Sequence, residues 1–145
     1  PYWNPNVRGA IFGLTRNTSI ADIVKAIIDS LSFQTLDLIK CMEKDAKIKI
    51  KEIKVDGGMI NNKNFLQSLS NITQINIIKP HNIETTSLGV AYLAGLNAGL
   101  IKNTNEIKKL WKVNKISKPK VKAKETQKDY NNWNKTVKLL IELNS

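Results

Sequence analysis

The sequence predicts an α/β fold, because a strand, a helix and a second strand follow one another at short spacing. Residues 48–55 place isoleucine or valine at positions 48, 50, 53 and 55 with lysines among them, which is typical of a strand with one buried face. Residues 62–72 space Phe65, Leu66 and Leu69 as one face of a helix does. Residues 75–78 are a second apolar run, which Pro80 ends. This order predicts a βαβ unit.

A long helix is predicted ahead of this unit. Ser19 followed three residues later by Asp22 resembles a capping pair, in which the two residues satisfy backbone amides of the first turn. The apolar stripe is wide enough to pack against a sheet, and Cys41 is predicted on its packed or half-packed side. Apolar side chains recur at helical spacing to about Asp45, at Ile20, Ile23, Val24, Ile27, Ile28, Leu31, Leu38 and Met42.

Further helices are predicted after the βαβ unit. Residues 84–98 begin with Glu84, Thr85 and Thr86, which can supply a side-chain cap and a negative charge near the positive end of a helix dipole. A short amphipathic piece at residues 105–111 precedes a lysine-rich extended stretch. A terminal helix is predicted over residues 124–143, with an apolar side formed by Tyr130, Trp133, Val137 and Leu140.

Length and composition indicate one modest domain. The 145 residues contain 41% hydrophobic side chains, and no apolar run approaches the roughly 18 residues that span a bilayer. Cys41 is the single cysteine, and neither it nor His81 has neighbours at metal-ligand spacing, so no metal site is predicted. We expect a soluble, cytoplasmic protein with no membrane partner. The start at Pro1 rather than methionine suggests a piece of a longer protein.

The net charge of +11 is concentrated in the last third of the chain. Residues 101–145 carry 12 lysines and four acidic residues, which gives +8 of that total. Only Arg8 and Arg16 are arginine, whereas proteins that read nucleic acids favour arginine for bidentate contacts. A solvated lysine-rich face therefore fits the sequence better than a nucleic-acid site.

Few motifs in the sequence carry chemistry. There is no serine elbow, no Walker phosphate loop, no histidine pair and no cysteine pair. One feature remains, because a strand that runs into Asp56, Gly57 and Gly58 before a helix places glycines where backbone can touch a ligand. A double glycine alone also occurs in simple turns between a strand and a helix.

Three stretches carry a resemblance to a known family. Residues 55–59, Val-Asp-Gly-Gly-Met, with Asn62 four positions after Gly58, resemble the adenosine motif of the sugar-kinase, actin and heat-shock ATPase superfamily. Residues 9–14 and 22–29 are similar in spacing to the second signature of the carbohydrate kinases that include glycerol kinase, xylulokinase and gluconokinase. Residues 84–91 resemble the closing helix of that family, and residues 1–5 and 8–16 look most like its glycerol kinase branch.

The resemblance implies a partial C-terminal lobe of the ribonuclease-H-like, actin-like ATPase fold of sugar kinases. Residues 1–100 would be its adenosine-binding part, and residues 101–145 a lysine-rich extension that ends in a helix. Gly58 would lie against the adenosine and lower phosphates of ATP, Gly57 would complete the turn, and Asn62 in the first helical turn would bond the adenine. No catalytic residue is assigned to this chain.

The resemblance also implies a reaction and its partners. The family's glycerol kinases transfer the γ-phosphoryl group of ATP to glycerol with Mg²⁺ and an aspartate base, and a homo-oligomer is expected for the full-length enzyme. The phosphate loop, the acceptor site and the base would lie upstream of Pro1, so the chain alone is predicted to be inactive.

Several alternatives stay open at this stage. The chain could belong to a relative that acts on another sugar, could bind nucleic acid or another polyanion through its lysine-rich tail, or could be an assembly or regulatory piece. His81 is predicted to be a loop residue, and Trp3, Trp111 and Trp133 to be core or interface anchors rather than platforms for base stacking. Residues 1–18 are predicted to be an irregular lead-in, and Arg8 could brace this lead-in or meet another domain.

Overall fold

A computed structural model describes Tyr2 and residues 4–144. Pro1, Trp3 and Ser145 lie outside the described residues, and with them the predicted role of Trp3. The elements, in chain order, are α1 (Ile20–Ala46), β1 (Glu52–Lys54), a 3₁₀ turn (Gly58–Asn61), α2 (Lys63–Thr73), β2 (Asn76–Pro80), α3 (Thr85–Asn97), α4 (Thr104–Leu110), β3 (Val113–Ser117) and α5 (Ala123–Glu142). In the described ranges no helix is both long and apolar enough to cross a membrane.

The predicted βαβ unit is present. β1 and β2 pair in parallel with Ile53 opposite Ile77, and α2 connects them. The first strand is shorter than the predicted residues 48–55, because the carboxylate of Glu43 binds the preceding segment to the end of α1. It accepts hydrogen bonds from the Ile50 amide at 2.9 Å and from Lys49 Nζ at 2.7 Å.

A third strand from the lysine-rich region completes the sheet. β3 pairs antiparallel with β2, with Ile116 opposite Ile78, and the strand order is β1-β2-β3. From the sequence only an extended stretch is predicted here, because lysines interrupt the apolar alternation. The segment beyond residue 100 is therefore built onto the same sheet as the preceding part.

The core lies between the 3₁₀ turn, α2 and β2. Ile60, Leu66, Leu69 and Ile77 form one buried cluster, against which Ile53, Val55, Phe65 and Ile83 pack. Burial of a side chain of this size is worth about 1.5–3 kcal/mol, so the cluster fixes the turn after β1 against the helix that follows. The predicted inward positions of α2 are confirmed.

Helix α1 begins with the predicted capping box. The Ser19 amide donates to Asp22 Oδ2 at 2.9 Å, and the Asp22 amide donates to Ser19 Oγ at 3.3 Å. Its main neighbour is α2 rather than the sheet. The prediction for Cys41 is wrong, because the thiol is exposed, and so are several apolar side chains of the stripe: Ile20, Val24, Ile27, Leu38 and Met42.

A buried carboxylate joins the last helix to the first. Asp37 on α1 is 5% exposed and accepts hydrogen bonds from Tyr130 Oη at 2.6 Å and from Trp133 Nε1 at 2.8 Å. Phe33 stacks on both aromatic rings. Burial and the bond to Asp37 raise the pKa of Tyr130 to about 12. The predicted anchoring role of Trp133 is confirmed, and α5 is held to the layer formed by α1 and α2.

Candidate functional site

The turn after β1 has a defined backbone. The Val55 amide donates to the Ile78 carbonyl at 3.1 Å, which extends the contact between β1 and β2 by one residue. Gly57 has φ +82°, a backbone conformation that residues with a Cβ rarely adopt. The Gly57 amide donates to the Ile83 carbonyl at 3.4 Å. The chain then enters the 3₁₀ turn, where the Ile60 amide donates to the Gly57 carbonyl at 3.3 Å.

The second glycine of the pair is not required by the packing of this chain. Gly58 has no positive φ, and a Cβ built on it would meet no atom within 4 Å. The residue is exposed, as are Asp56 and Gly57 before it. The backbone at Gly58 therefore faces open space in which a ligand can approach closely.

Asn62 is the N-cap of α2, so it stands one residue before the predicted first helical turn. Its Oδ1 accepts hydrogen bonds from the amides of Asn64 at 3.0 Å and Phe65 at 3.2 Å. The side chain is exposed, and its Nδ2 group carries two donors that the capping bonds do not use. One amide can thus cap the helix and donate to a ligand at the same time.

Two contacts beside the turn were not predicted from the sequence. Lys79 Nζ on β2 donates to Asn61 Oδ1 at 2.8 Å, which places a cation at the end of the 3₁₀ turn. Thr85 Oγ1, from the first residue of α3, donates to Asp56 Oδ2. Both contacts join residues far apart in the chain, and no local spacing signals them.

The predicted cap of α3 is wrong in detail. The N-cap residue Glu84 makes no side-chain capping bond, and the Thr85 hydroxyl is used on Asp56 instead. The Glu84 amide donates to Asn82 Oδ1 at 2.9 Å. The loop before α3 is therefore tied to the glycine turn at Asp56 and Gly57, through Thr85 and Ile83.

The lead-in segment has a local role in this chain. Arg8 Nη1 donates to the Pro5 carbonyl at 3.3 Å. This bond braces the lead-in, which is one of the two roles predicted for Arg8. Gly13 has φ +78°, a backbone conformation that glycine adopts without strain. Residues 9–14 are exposed.

The glycine turn does not coincide with an enclosed cavity. A cleft of about 840 Å³ lies between α1, α2 and the start of α5, and neither Gly57, Gly58 nor Asn62 lines it. Its polar lining includes a Ser68 hydroxyl that donates to Asp29 at 2.6 Å. We place the candidate site at the turn, because a glycine at positive φ, an open backbone and an amide donor of Asn62 occur together there, whereas the cleft is a gap between helices.

Metal ligands do not converge in this part of the molecule. Across Tyr2 and residues 4–144, no three histidine, cysteine, aspartate or glutamate side chains lie close enough to hold an ion. The exposed thiol of Cys41 has no place at the turn. The residues of the turn can bind and orient a ligand through backbone and amide groups, but they present no metal-binding set.

The lysine-rich surface lacks an open platform for bases. All the lysines between residues 108 and 124 are exposed. Trp111 in this stretch is half-buried, and Lys54 Nζ lies 4.2 Å from the centre of its ring. Because nucleic-acid grooves combine basic residues with aromatic faces open to bases, this surface has the charge of such a groove without its stacking groups.

Almost the whole chain is similar in sequence to known proteins. Residues 1–98 match the model of the FGGY family of carbohydrate kinases, C-terminal domain. Over 138 residues the chain is 44% identical to a glycerol kinase of Listeria monocytogenes, covering 95% of this chain and 28% of that protein. A glycerol kinase of Mycoplasmoides gallisepticum is 46% identical over 138 residues, with 95% of this chain and 27% of that protein covered.

Solved structures agree with these matches. A crystal structure of Plasmodium falciparum glycerol kinase with ADP superposes with a TM-score of 0.86 at 32% identity, over 97% of this chain and 28% of that one. A gluconate kinase of Lactobacillus acidophilus gives 0.80 at 26% identity, over 97% of this chain and 28% of that one.

The chain thus spans about 28% of the length of its glycerol kinase relatives. Its fold is the predicted C-terminal part of the actin-like ATPase fold of sugar kinases. The chain belongs to the FGGY family of carbohydrate kinases.

Proposed function

We propose that this chain is the C-terminal part of a glycerol kinase and supplies the adenosine side of the site for ATP. The whole enzyme would use ATP to phosphorylate glycerol to sn-glycerol 3-phosphate. The observation that carries the proposal is the turn itself, where the chain after β1 reverses at Gly57 with φ +82° and the unobstructed backbone of Gly58 precedes a capped helix. This is the geometry in which α/β folds bind nucleotides at the carboxyl ends of strands.

Each residue of the turn has a distinct part in nucleotide binding. Gly57 allows the reversal, and Gly58 lets the backbone approach the adenosine and its lower phosphates without a Cβ in the way. Asn62 holds the start of α2 with its oxygen and donates to the adenine with Nδ2. The N-terminal end of the 11-residue helix α2 favours the negative charge of the phosphates.

Glycerol is proposed as the acceptor from sequence likeness rather than from the turn. The glycerol kinases from L. monocytogenes and M. gallisepticum are 44% and 46% identical to the chain, whereas the gluconate kinase structure is 26% identical and has a similar fold. A fold common to kinases of different sugars does not select the acceptor. A kinase for a related sugar is therefore the second candidate.

The chain supplies no metal site or catalytic base in this proposal. Mg²⁺ bound to ATP would neutralise charge on the phosphates during transfer, but the residues described here do not gather ligands for it. We assign the metal site, the base and the glycerol site to the rest of the full-length kinase, which corresponds to the part of the relatives that this chain does not match. The chain alone would position at most one side of ATP.

The proposed organisation follows from these roles. Residues 1–100 carry the nucleotide turn, and residues 101–145 add β3 and α5, which support the sheet and α1 from outside. We propose that the full-length kinase is a cytoplasmic homo-oligomer. Its one free thiol in this part, Cys41, fits a reducing compartment.

The division of labour predicts activity in the full-length kinase and none in the isolated chain. With ATP, Mg²⁺ and glycerol, the full-length protein should form glycerol 3-phosphate, which a coupled dehydrogenase assay detects. The isolated chain under the same conditions should give only the background rate. Turnover by the isolated chain would contradict the assignment of the base elsewhere, and phosphorylation of gluconate or xylulose in preference to glycerol would favour the second candidate.

The two glycines of the turn should respond differently to substitution in the full-length kinase. Gly58→Val should raise the KM for ATP about tenfold or more with an unchanged KM for glycerol, because a side chain enters the space proposed for the nucleotide. Gly58→Val should also leave the melting temperature close to that of the parent, since a Cβ there meets no atom within 4 Å.

Gly57→Ala is the matched comparison. It should destabilise the protein by about 1–3 kcal/mol, because φ +82° with ψ 175° is a backbone region that residues with a Cβ hardly populate. Steady-state kinetics and thermal unfolding distinguish the two effects. An unchanged KM for ATP in Gly58→Val would place the nucleotide elsewhere.

Asn62→Asp should weaken ATP binding without loss of the helix cap. Aspartate caps helices about as well as asparagine, so α2 should stay intact, while the donor to adenine is replaced by a carboxylate oxygen. We expect the KM for ATP to rise about tenfold, because the hydrogen bond to adenine is lost and the new carboxylate places a negative charge beside the nucleotide.

Asn103→Asp is the control for this change. Asn103 caps α4 in the same way, with bonds to the amides of Asn105 at 3.0 Å and Glu106 at 3.3 Å. Its substitution should leave the KM for ATP unchanged. Equal effects of the two substitutions would mean that only a helix cap was perturbed, and the adenine contact would be rejected.

A further inference from the structure

The glycine turn is fastened to the start of α3 by two hydrogen bonds. Thr85 Oγ1 donates to Asp56 Oδ2, and the Gly57 amide donates to the Ile83 carbonyl at 3.4 Å. Asp56 and Thr85 are 29 positions apart in the chain. The side chain of Ile83 also packs against the core cluster that contains Ile60 of the 3₁₀ turn. The loop before α3 therefore touches the turn through a side chain, a main-chain bond and the core.

Asp56 lies between the two main-chain bonds that hold the turn, from the Val55 amide to Ile78 and from the Gly57 amide to Ile83. Val55 before it is bonded to β2, and the Gly57 carbonyl after it accepts the bond that begins the 3₁₀ turn. Glycine at position 57 adds no side-chain packing, so its backbone can rotate more freely than that of other residues. The carboxylate of Asp56 is the side chain next to this glycine, and the hydroxyl of Thr85 is the donor that holds it.

We propose that Thr85 is a positioning residue for the nucleotide. Through Asp56 it fixes the peptide of Gly57, and so the direction in which the Gly58 backbone faces the adenosine. Thr85 does not touch ATP itself. The inference rests on the proposed function of the turn and adds a residue from α3 that controls its geometry.

The hydroxyl of Thr85, rather than its bulk, carries this role. Thr85 is half-buried, so valine would fill its place without the donor, whereas serine would keep the donor and lose a methyl group. A hydrogen bond to an ionised carboxylate is stronger than one between neutral groups, although the exposure of Asp56 limits its worth. Loss of this bond should loosen the turn without unfolding the core around Leu66 and Ile77.

The test uses the full-length kinase with Thr85→Val and Thr85→Ser. Thr85→Val should raise the KM for ATP about fivefold, with kcat and the KM for glycerol close to those of the parent. Thr85→Ser should restore the parent KM. Thr104→Val is the control, because Thr104 is the first residue of α4 as Thr85 is of α3, and it should have no effect.

A double-mutant cycle decides whether the effect passes through Asp56. If Thr85 acts by holding that carboxylate, Asp56→Ala combined with Thr85→Val should raise the KM for ATP no more than Asp56→Ala alone. Multiplying effects, or an unchanged KM in Thr85→Val, would overturn the inference. Thermal unfolding of each variant shows whether a change in KM is merely a loss of folded protein.

Gly58→Val separates this inference from the proposed function. If Gly58→Val raises the KM for ATP and Thr85→Val does not, the turn binds ATP but Thr85 does not position it. If neither substitution changes the KM for ATP, both the nucleotide site and the role of Thr85 are rejected.

Discussion

The backbone reversal at Gly57 is the constraint on which the rest of the site depends. The chain leaves β1, turns at φ +82° and enters the 3₁₀ turn, so that α2 starts beside the end of the strand that precedes it. Main-chain bonds to Ile78 and Ile83 hold the two sides of this reversal. Because the turn is bonded to both β2 and the loop before α3, the exposed backbone of the two glycines has a defined direction although these residues have no side chains to pack.

Packing transmits this constraint to the remaining elements. Ile60 of the 3₁₀ turn lies in the same cluster as Leu66 and Leu69 of α2 and Ile77 of β2, so the turn, the helix and the strand share one core. Beyond it, the buried carboxylate of Asp37 holds α5 to α1 through two aromatic donors. The apolar stripe of α1 is wider than the surface that α2 and α5 offer, which explains why Val24, Ile27 and other stripe residues stay exposed.

Local patterns were sufficient to predict most elements and the position of the turn. Helical periodicity located α1, α2 and α5, the capping box located the start of α1, and the double glycine located the reversal after β1. Contacts between distant segments could not be predicted in this way. Three side-chain hydrogen bonds depend on the folded arrangement, and no spacing of residue types in the sequence indicates them. They join Thr85 to Asp56, Lys79 to Asn61 and Tyr130 to Asp37. β3 was missed for a related reason, since its pairing with β2 outweighs a weak strand pattern.

The central claim is that the turn from Val55 to Asn62 binds the adenosine half of ATP. A crystal structure of the full-length kinase with ADP tests it most directly. The account predicts the adenosine against the backbone of Gly57 and Gly58, with an adenine nitrogen about 3 Å from Asn62 Nδ2 and the phosphates towards the start of α2. ADP bound in the cleft between α1, α2 and α5, or at any place that leaves Gly58 exposed to solvent, would contradict it.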